Sequence, residues 1–191
     1  MYLTVNFDHE MGHLVVKEGD PACISPHIAE CAADAYAALR HVQRYGNDTD
    51  FFTSYNRSYN IVLGNSPDHY TDAVLQKVRQ LCQERDISKL SLRETAQLAG
   101  KLAVEYGFNE EKLDKVKSAF QAVAQIFREA VKKGERVDQD KILKKVLEIT
   151  QTHKNDPDIC AAGNQYINSP YIRNYLREKS AALKAQGPKT L

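Results

Sequence analysis

Two histidines four residues apart, with a glutamate directly after the first, form the group in this chain best suited to chemistry: His9-Glu10-Met11-Gly12-His13. On an α-helix, side chains four apart share a face, with Cβ atoms about 5–6 Å from each other. Both imidazoles can then give a ring nitrogen to a single metal ion. Glu10 projects toward the same rim and is placed to take a proton from a metal-held water, whose pKa a zinc ion lowers toward about 7. A catalytic zinc also needs a third protein ligand and an open position. Glu30 and Asp34, again four apart, offer two carboxylates on one face of the next amphipathic segment. His27, three residues before Glu30, can look the same way and stands as the alternative third ligand.

In this order, H-E-M-G-H followed by E-C-A-A-D resembles the gluzincin branch of the zincin metallopeptidases. The resemblance covers residues 7–45 or so. It implies that His9, His13 and Glu30 ligate Zn2+, that Glu10 is the general base, and that Asp34 orients a ligand histidine. It also implies a protein or peptide substrate. Sixteen residues separate His13 from Glu30, a short interval for the family. Zincins usually carry a sheet ahead of the motif helix, and its edge strand binds substrate; residues 2–7 are the segment available for one here. Such enzymes generally use a Tyr or His donor on the oxyanion. His69 and Tyr70, in "PDHYT" at an expected helix N-terminus, are the catalytic candidates, His69 first. Tyr55, Arg57 and Tyr59 are the alternatives.

The elements that must hold these residues read as mainly α: a helical, bundle-like domain with a short N-terminal strand and the motif on the first helix. "YLTVNF" at 2–7 alternates apolar and polar residues and suits the strand. Asp8 can cap a helix that Gly19 stops. Ser25-Pro26 opens a second helix ending at Tyr45-Gly46, with Ile28, Ala32, Ala35, Leu39 and Val42 on its apolar face. Residues 47–68 are poorly periodic, and irregular segments of that length are often functional. A helix is expected from Pro67 to Arg85. "SLRE" at 91–94 is a capping box for another to Tyr106. Asn109 begins one long helix to Lys133, Asp138 one to Thr152, Asp156-Pro157 a short one, and Ser169-Pro170 the last. Residues 1–85 make up the zinc region and 86–191 a helical scaffold, packed as one domain.

The balance of charge narrows the functions. The net charge is +1, so the molecule has no overall field for nucleic acid or a membrane surface. Residues 1–76 carry four Lys/Arg against ten Asp/Glu, and the remainder twenty-two against fifteen. Five of the six histidines lie in the acidic part. No apolar run nears the roughly 20 residues that span a bilayer, and no basic-then-apolar leader is visible, so a cytoplasmic protein is expected. Cys23, Cys31, Cys82 and Cys160 include no C-x-x-C and read as reduced thiols. The chain also lacks P-loop, G-x-G-x-x-G and G-x-S-x-G patterns. Two functions remain: a zinc-dependent metallopeptidase, or a non-enzymatic helical interaction protein with a structural or incidental metal site.

Overall fold

The computed structural model describes residues 2–17, 25–46, 51–52 and 55–185. Among them the chain is helical and contains no strand. The order is α1 (Tyr2–Lys17), α2 (Pro26–Tyr45), α3 (Ser58–Val62), a 3₁₀ turn at Pro67–His69, α4 (Asp72–Glu84), α5 (Leu92–Tyr106), α6 (Glu110–Ala119), α7 (Gln121–Lys133), α8 (Gln139–Thr152), α9 (Pro157–Ile167) and α10 (Pro170–Ala185). No helix is long and apolar enough to cross a membrane among the described residues.

Residues 2–7 belong to α1, which corrects the expected strand. Val5, Asp8, His9, Gly12 and Val16 are the buried positions of α1. Their spacing is three to four residues, the period of a helix packed along one stripe. Packing that stripe on α2 outweighs the local alternation in "YLTVNF". Gly19, the expected stop, and Cys23 lie outside the described residues.

Helix starts follow their capping residues. Glu94 N donates to Ser91 Oγ at 3.3 Å, and Ser91 N donates to Glu94 Oε2 at 2.8 Å, completing the capping box of α5. Asn109 and Asp138 accept from Lys112 N at 2.9 Å and Lys141 N at 3.0 Å. The single helix expected over 109–133 is instead two, α6 and α7, broken at Phe120 (φ −94°, ψ 9°). Phe120 is fully buried in the second core, and the break lets α6 and α7 both turn apolar faces onto it.

Two apolar clusters organise the molecule. The first joins α1, α2, α4 and α5 through Val5, Val16, Leu39, Val42, Val74, Val78 and Leu102, among others. The second gathers Ile61, Tyr70, Val116, Phe120, Ile142, Val146, Ile159 and Ile172 from α3 and the later helices. The clusters interleave along the sequence, since α5 packs with the first and α3 with the second.

The close approach of α1 to α2 sets up the site. Ala32, Ala33, Ala35, Ala37 and Ala38 are small, fully buried residues spread around α2, and Ala33 is the one that meets Gly12. A Cβ on Gly12 would lie 2.7 Å from the Ala33 Cα, well inside van der Waals contact. Only glycine lets the two backbones come this near. The residue between the motif histidines therefore brings His9 and His13 opposite Glu30 and Asp34.

Candidate metal centre

His9, Glu30 and His13 offer ligand atoms that all lie within 4.8 Å of one another. His9 Nε2 is 3.2 Å from His13 Nε2 and 3.4 Å from Glu30 Oε2. His13 Nε2 is 3.4 Å from Glu30 Oε1. The group could hold a metal ion. It runs from buried His9 to a His13 side chain that is 22% exposed, so it opens to solvent on one side.

Asp34 lies beneath the group and is almost fully buried. Its Oδ1 is 2.7 Å from His9 Nδ1, so Nδ1–H donates to it and Nε2 is the nitrogen that faces Glu30 and His13. Four further donors converge on this carboxylate. Tyr55 Oη donates to Oδ1 at 2.7 Å and Thr71 Oγ1 to Oδ2 at 2.5 Å. The Arg57 guanidinium straddles both oxygens, Nη2 to Oδ1 at 3.0 Å and Nε to Oδ2 at 3.1 Å. Burial alone would raise the Asp34 pKa, but the His9 hydrogen bond and the Arg57 charge overcome it and hold the carboxyl at about 2. Burial would likewise lower His9; the Asp34 hydrogen bond and the nearby Glu30 carboxylate outweigh it and raise the imidazole to about 9. Burial pushes Glu30 up, yet the neighbouring His9, His69 and His13 bring it below the ordinary carboxylate value.

The structure brings together His9, His13, Glu30 and Asp34 as the spacing suggested, and adds His69. In the 3₁₀ turn, His69 places Nε2 3.3 Å from Glu30 Oε2, and its side chain is 39% exposed at the mouth. Glu10 is exposed on α1 beside His9. Tyr70 is not at this group. It is buried in the second core, where its hydroxyl donates to Gln165 Oε1 at 2.7 Å. His27 is not a ligand either. Its Nδ1 donates to Asp68 O at 2.8 Å and its Nε2 accepts from Phe108 N at 3.0 Å, so both ring nitrogens are used. Burial keeps that imidazole below its ordinary pKa, as a neutral ring with one donor and one acceptor requires.

No family model, curated protein or solved structure matches this chain. The donor geometry itself must then carry the chemistry. Four ligands about 2.0–2.1 Å from a tetrahedral ion are separated by edges of about 3.3–3.4 Å. The two ring nitrogens, 3.2 Å apart, stand near that length, while His9 faces Glu30 Oε2 and His13 faces Glu30 Oε1, each at 3.4 Å, so a shared ion would draw both imidazoles onto one carboxylate from its two oxygens. Glu30 Oε2 is also buried with no hydrogen-bond partner, despite lying near two imidazoles. A buried acceptor in that state costs about 1–3 kcal/mol, and a bound cation would satisfy it. A nitrogen-nitrogen-oxygen set is one that several first-row transition metals accept.

Tyr55 and Arg57, alternatives for an oxyanion donor on sequence grounds, are spent on Asp34 instead, and Arg57 Nη2 also donates to Tyr55 Oη. Thr71 completes the cradle and was not among the sequence candidates. A lone threonine 37 residues from the carboxylate it binds leaves no spacing signal. Cys31 and Cys82 are buried, and Cys160 is half-buried with a free thiol.

Proposed function

We propose that this chain is a zinc-dependent hydrolase that cleaves a peptide bond in a protein or peptide. The observation that carries this reading is the convergence of His9, His13 and Glu30, whose ligand atoms lie within 4.8 Å of one another, with Asp34 holding His9 through Nδ1. His9 Nε2, His13 Nε2 and a Glu30 oxygen would hold the ion, and the exposed side supplies its open position. The ion, when bound, would polarise the scissile carbonyl and acidify a water. Glu10, one residue from His9 and open to solvent, would be the general base that takes a water's proton and returns it to the leaving amine. His69, half-exposed at the mouth, would turn from Glu30 to donate toward the carbonyl oxygen as charge develops there. The resemblance to gluzincins supports the same assignment of roles.

A structural metal site in a helical interaction protein is the second reading. In it His69, 3.3 Å from Glu30 Oε2 and outside the three-residue group, would steady the Glu30 carboxylate rather than act on a substrate. The absence of any strand among the described residues, to pair with an extended substrate, favours it.

The two readings separate in a single experiment. Zinc content and hydrolysis of an unstructured protein such as casein are measured for the parent and for Glu10→Gln. The enzyme reading expects about one zinc per chain in both proteins, and hydrolysis, abolished by chelator, in the parent alone. Zinc-loaded parent without hydrolysis favours the structural site, and protein that takes up no zinc removes both readings.

A further inference from the structure

Between α1 and α5 the surface opens into a groove of about 880 Å3. Val15 and Val16 form its α1 wall. The rest is two neighbouring rows of α5, each stepping four residues at a time. Leu92, Ala96, Gly100 and Val104 make the inner row, and Arg93, Gln97, Lys101 and Glu105 the outer one. Rows at this spacing are the ridges and grooves through which one helix packs on another. The inner row is large at its ends and small in its middle. Leu92 is 59% exposed and Val104 48%. Ala96 is half-buried, and Gly100 is buried, with Val16 Cγ1 3.3 Å from where a Cβ would stand. Side chains at the crossing point set how near two helix axes come, so Ala96 and Gly100 leave room for a helix laid over them. Exposed apolar surface rimmed by polar residues is the mark of an interaction site.

The outer row identifies what covers it. All four of its side chains are exposed, and neither Arg93 nor Lys101 makes an ion pair among the described residues. Arg93 and Glu105 stand twelve residues apart, ~18 Å along the helix, with Gln97 and Lys101 between them. Two copies of α5 laid end for end about a twofold axis bring Arg93 of each against Glu105 of the other, and Gln97 against Lys101. The same axis sets Leu92 against Val104 and Ala96 against Gly100. Laid in the same direction, the copies would set Arg93 on Arg93 and Lys101 on Lys101. The surface is thus complementary to itself in one orientation, as an isologous interface requires. A partner helix of a single charge sign would leave either the two cations or Glu105 facing its like.

We propose that the chain forms a twofold-symmetric dimer through this groove, with α5 packed antiparallel on α5 of a second copy and the outer row of each lying on the inner row of the other. The stems of Arg93 and Lys101 cover the Ala96–Gly100 floor while their charged ends reach Glu105 and Gln97 of the second copy. Leu92 and Val104 leave water at both ends of the contact. None of these residues belongs to the metal group, so the dimer stands or falls apart from that reading.

Sedimentation equilibrium of the full chain tests it. A monomer–dimer equilibrium is expected at concentrations on the order of 1–100 μM. Leu92→Ser with Val104→Ser changes two exposed side chains, its folding checked by circular dichroism, and should weaken association by about tenfold or more. Arg93→Glu alone sets a like-charged pair at each end of the contact and should weaken it by about tenfold at low ionic strength, as should Glu105→Arg alone. Arg93→Glu together with Glu105→Arg exchanges the members of each pair and should return parental association. A monomer throughout the range, which would leave the groove to an unlike partner, overturns the proposal. So does a dimer indifferent to Leu92→Ser with Val104→Ser, or single charge reversals that the double variant does not rescue.

Discussion

His9 Nδ1 and Asp34 Oδ1 stand 2.7 Å apart, and that contact decides which nitrogen of His9 faces Glu30 and His13. With a proton held on Nδ1, Nε2 is the nitrogen turned to the ligand group, and a metal ion there would displace the second proton that an imidazole raised to about 9 holds near neutral pH. Asp34 can do this because Arg57, Tyr55 and Thr71 keep its carboxylate charged and fixed. Asp34→Asn retains the shape but weakens the acceptor and leaves the Arg57 charge unbalanced. Zinc affinity should fall about 10–100-fold, the range for loss of a carboxylate behind a ligand histidine. Competition against a fluorescent chelator measures it; an unchanged affinity would falsify the positioning role.

The third ligand is distinguished from its alternative by parallel substitutions. Glu30→Gln should lower zinc stoichiometry toward zero, because the amide is a poor ligand and donates toward the two imidazoles. His27→Gln should keep the stoichiometry and lose stability instead. His27 ties α2 to the 3₁₀ turn through Asp68 O and to the start of α6 through Phe108 N. Breaking one of these leaves a buried backbone group unpaired, at about 1–3 kcal/mol. Zinc analysis by atomic absorption and urea melts together check both outcomes. Zinc loss in His27→Gln, with the fold intact, would reverse the assignment.

Much of this arrangement was legible in the sequence, for reasons that differ by residue. His9, His13, Glu30 and Asp34 announce themselves because four-residue spacing on a helix is a statement about geometry. Helix starts at Ser91, Asn109, Asp138 and Pro157 are local, so capping chemistry reveals them. The first six residues of α1 are not local. Alternation in "YLTVNF" favoured a strand, and the tertiary stripe Val5–Gly12–Val16 against α2 overrode it. The break at Phe120 also follows from the core it enters rather than from its neighbours in sequence. Tyr70 looked like a rim residue beside His69, yet its ring faces Phe108 at 5.5 Å in the second core. Arg57 and Thr71 reach Asp34 across 23 and 37 residues of chain, a pairing that only the fold brings about.

Gly12 carries a prediction that no ligand list would contain. Gly12→Ala should raise helix propensity in isolation, yet its methyl would lie 2.7 Å from the Ala33 Cα, and backbone cannot step aside as a flexible side chain does. Overpacking of this kind costs about 1–3 kcal/mol. Separating α1 from α2 also pulls the two histidines from Glu30. The variant should therefore melt earlier and bind zinc more weakly, both in the same protein. A Gly12→Ala protein with parental zinc affinity would show that the close approach is not what assembles the site.

Asp72 gives the fold a pH dependence whose sign differs from that of an ordinary paired carboxylate. Burial is the main cause that raises its pKa from 3.8 to about 7, and the Asp34 charge adds to it. Between those two values the folded chain holds a proton on Asp72 that the unfolded chain releases. Stability then falls as pH rises through that window, since the unfolded state binds fewer protons there, and the loss is complete above about 7. Asp34 acts in the opposite direction at lower pH: its folded pKa of about 2 lies below 3.8, so its contribution is present above 3.8 and lost as pH drops toward 2. Asp72→Asn removes the first effect and keeps the acceptor for Arg57 N. The variant should be more stable than the parent at pH 8, by on the order of 1–3 kcal/mol, and the gap should close toward pH 4. Urea unfolding of the two proteins at both pH values measures this, and a gap that widens on acidification would show that Asp72 is ionised in the fold.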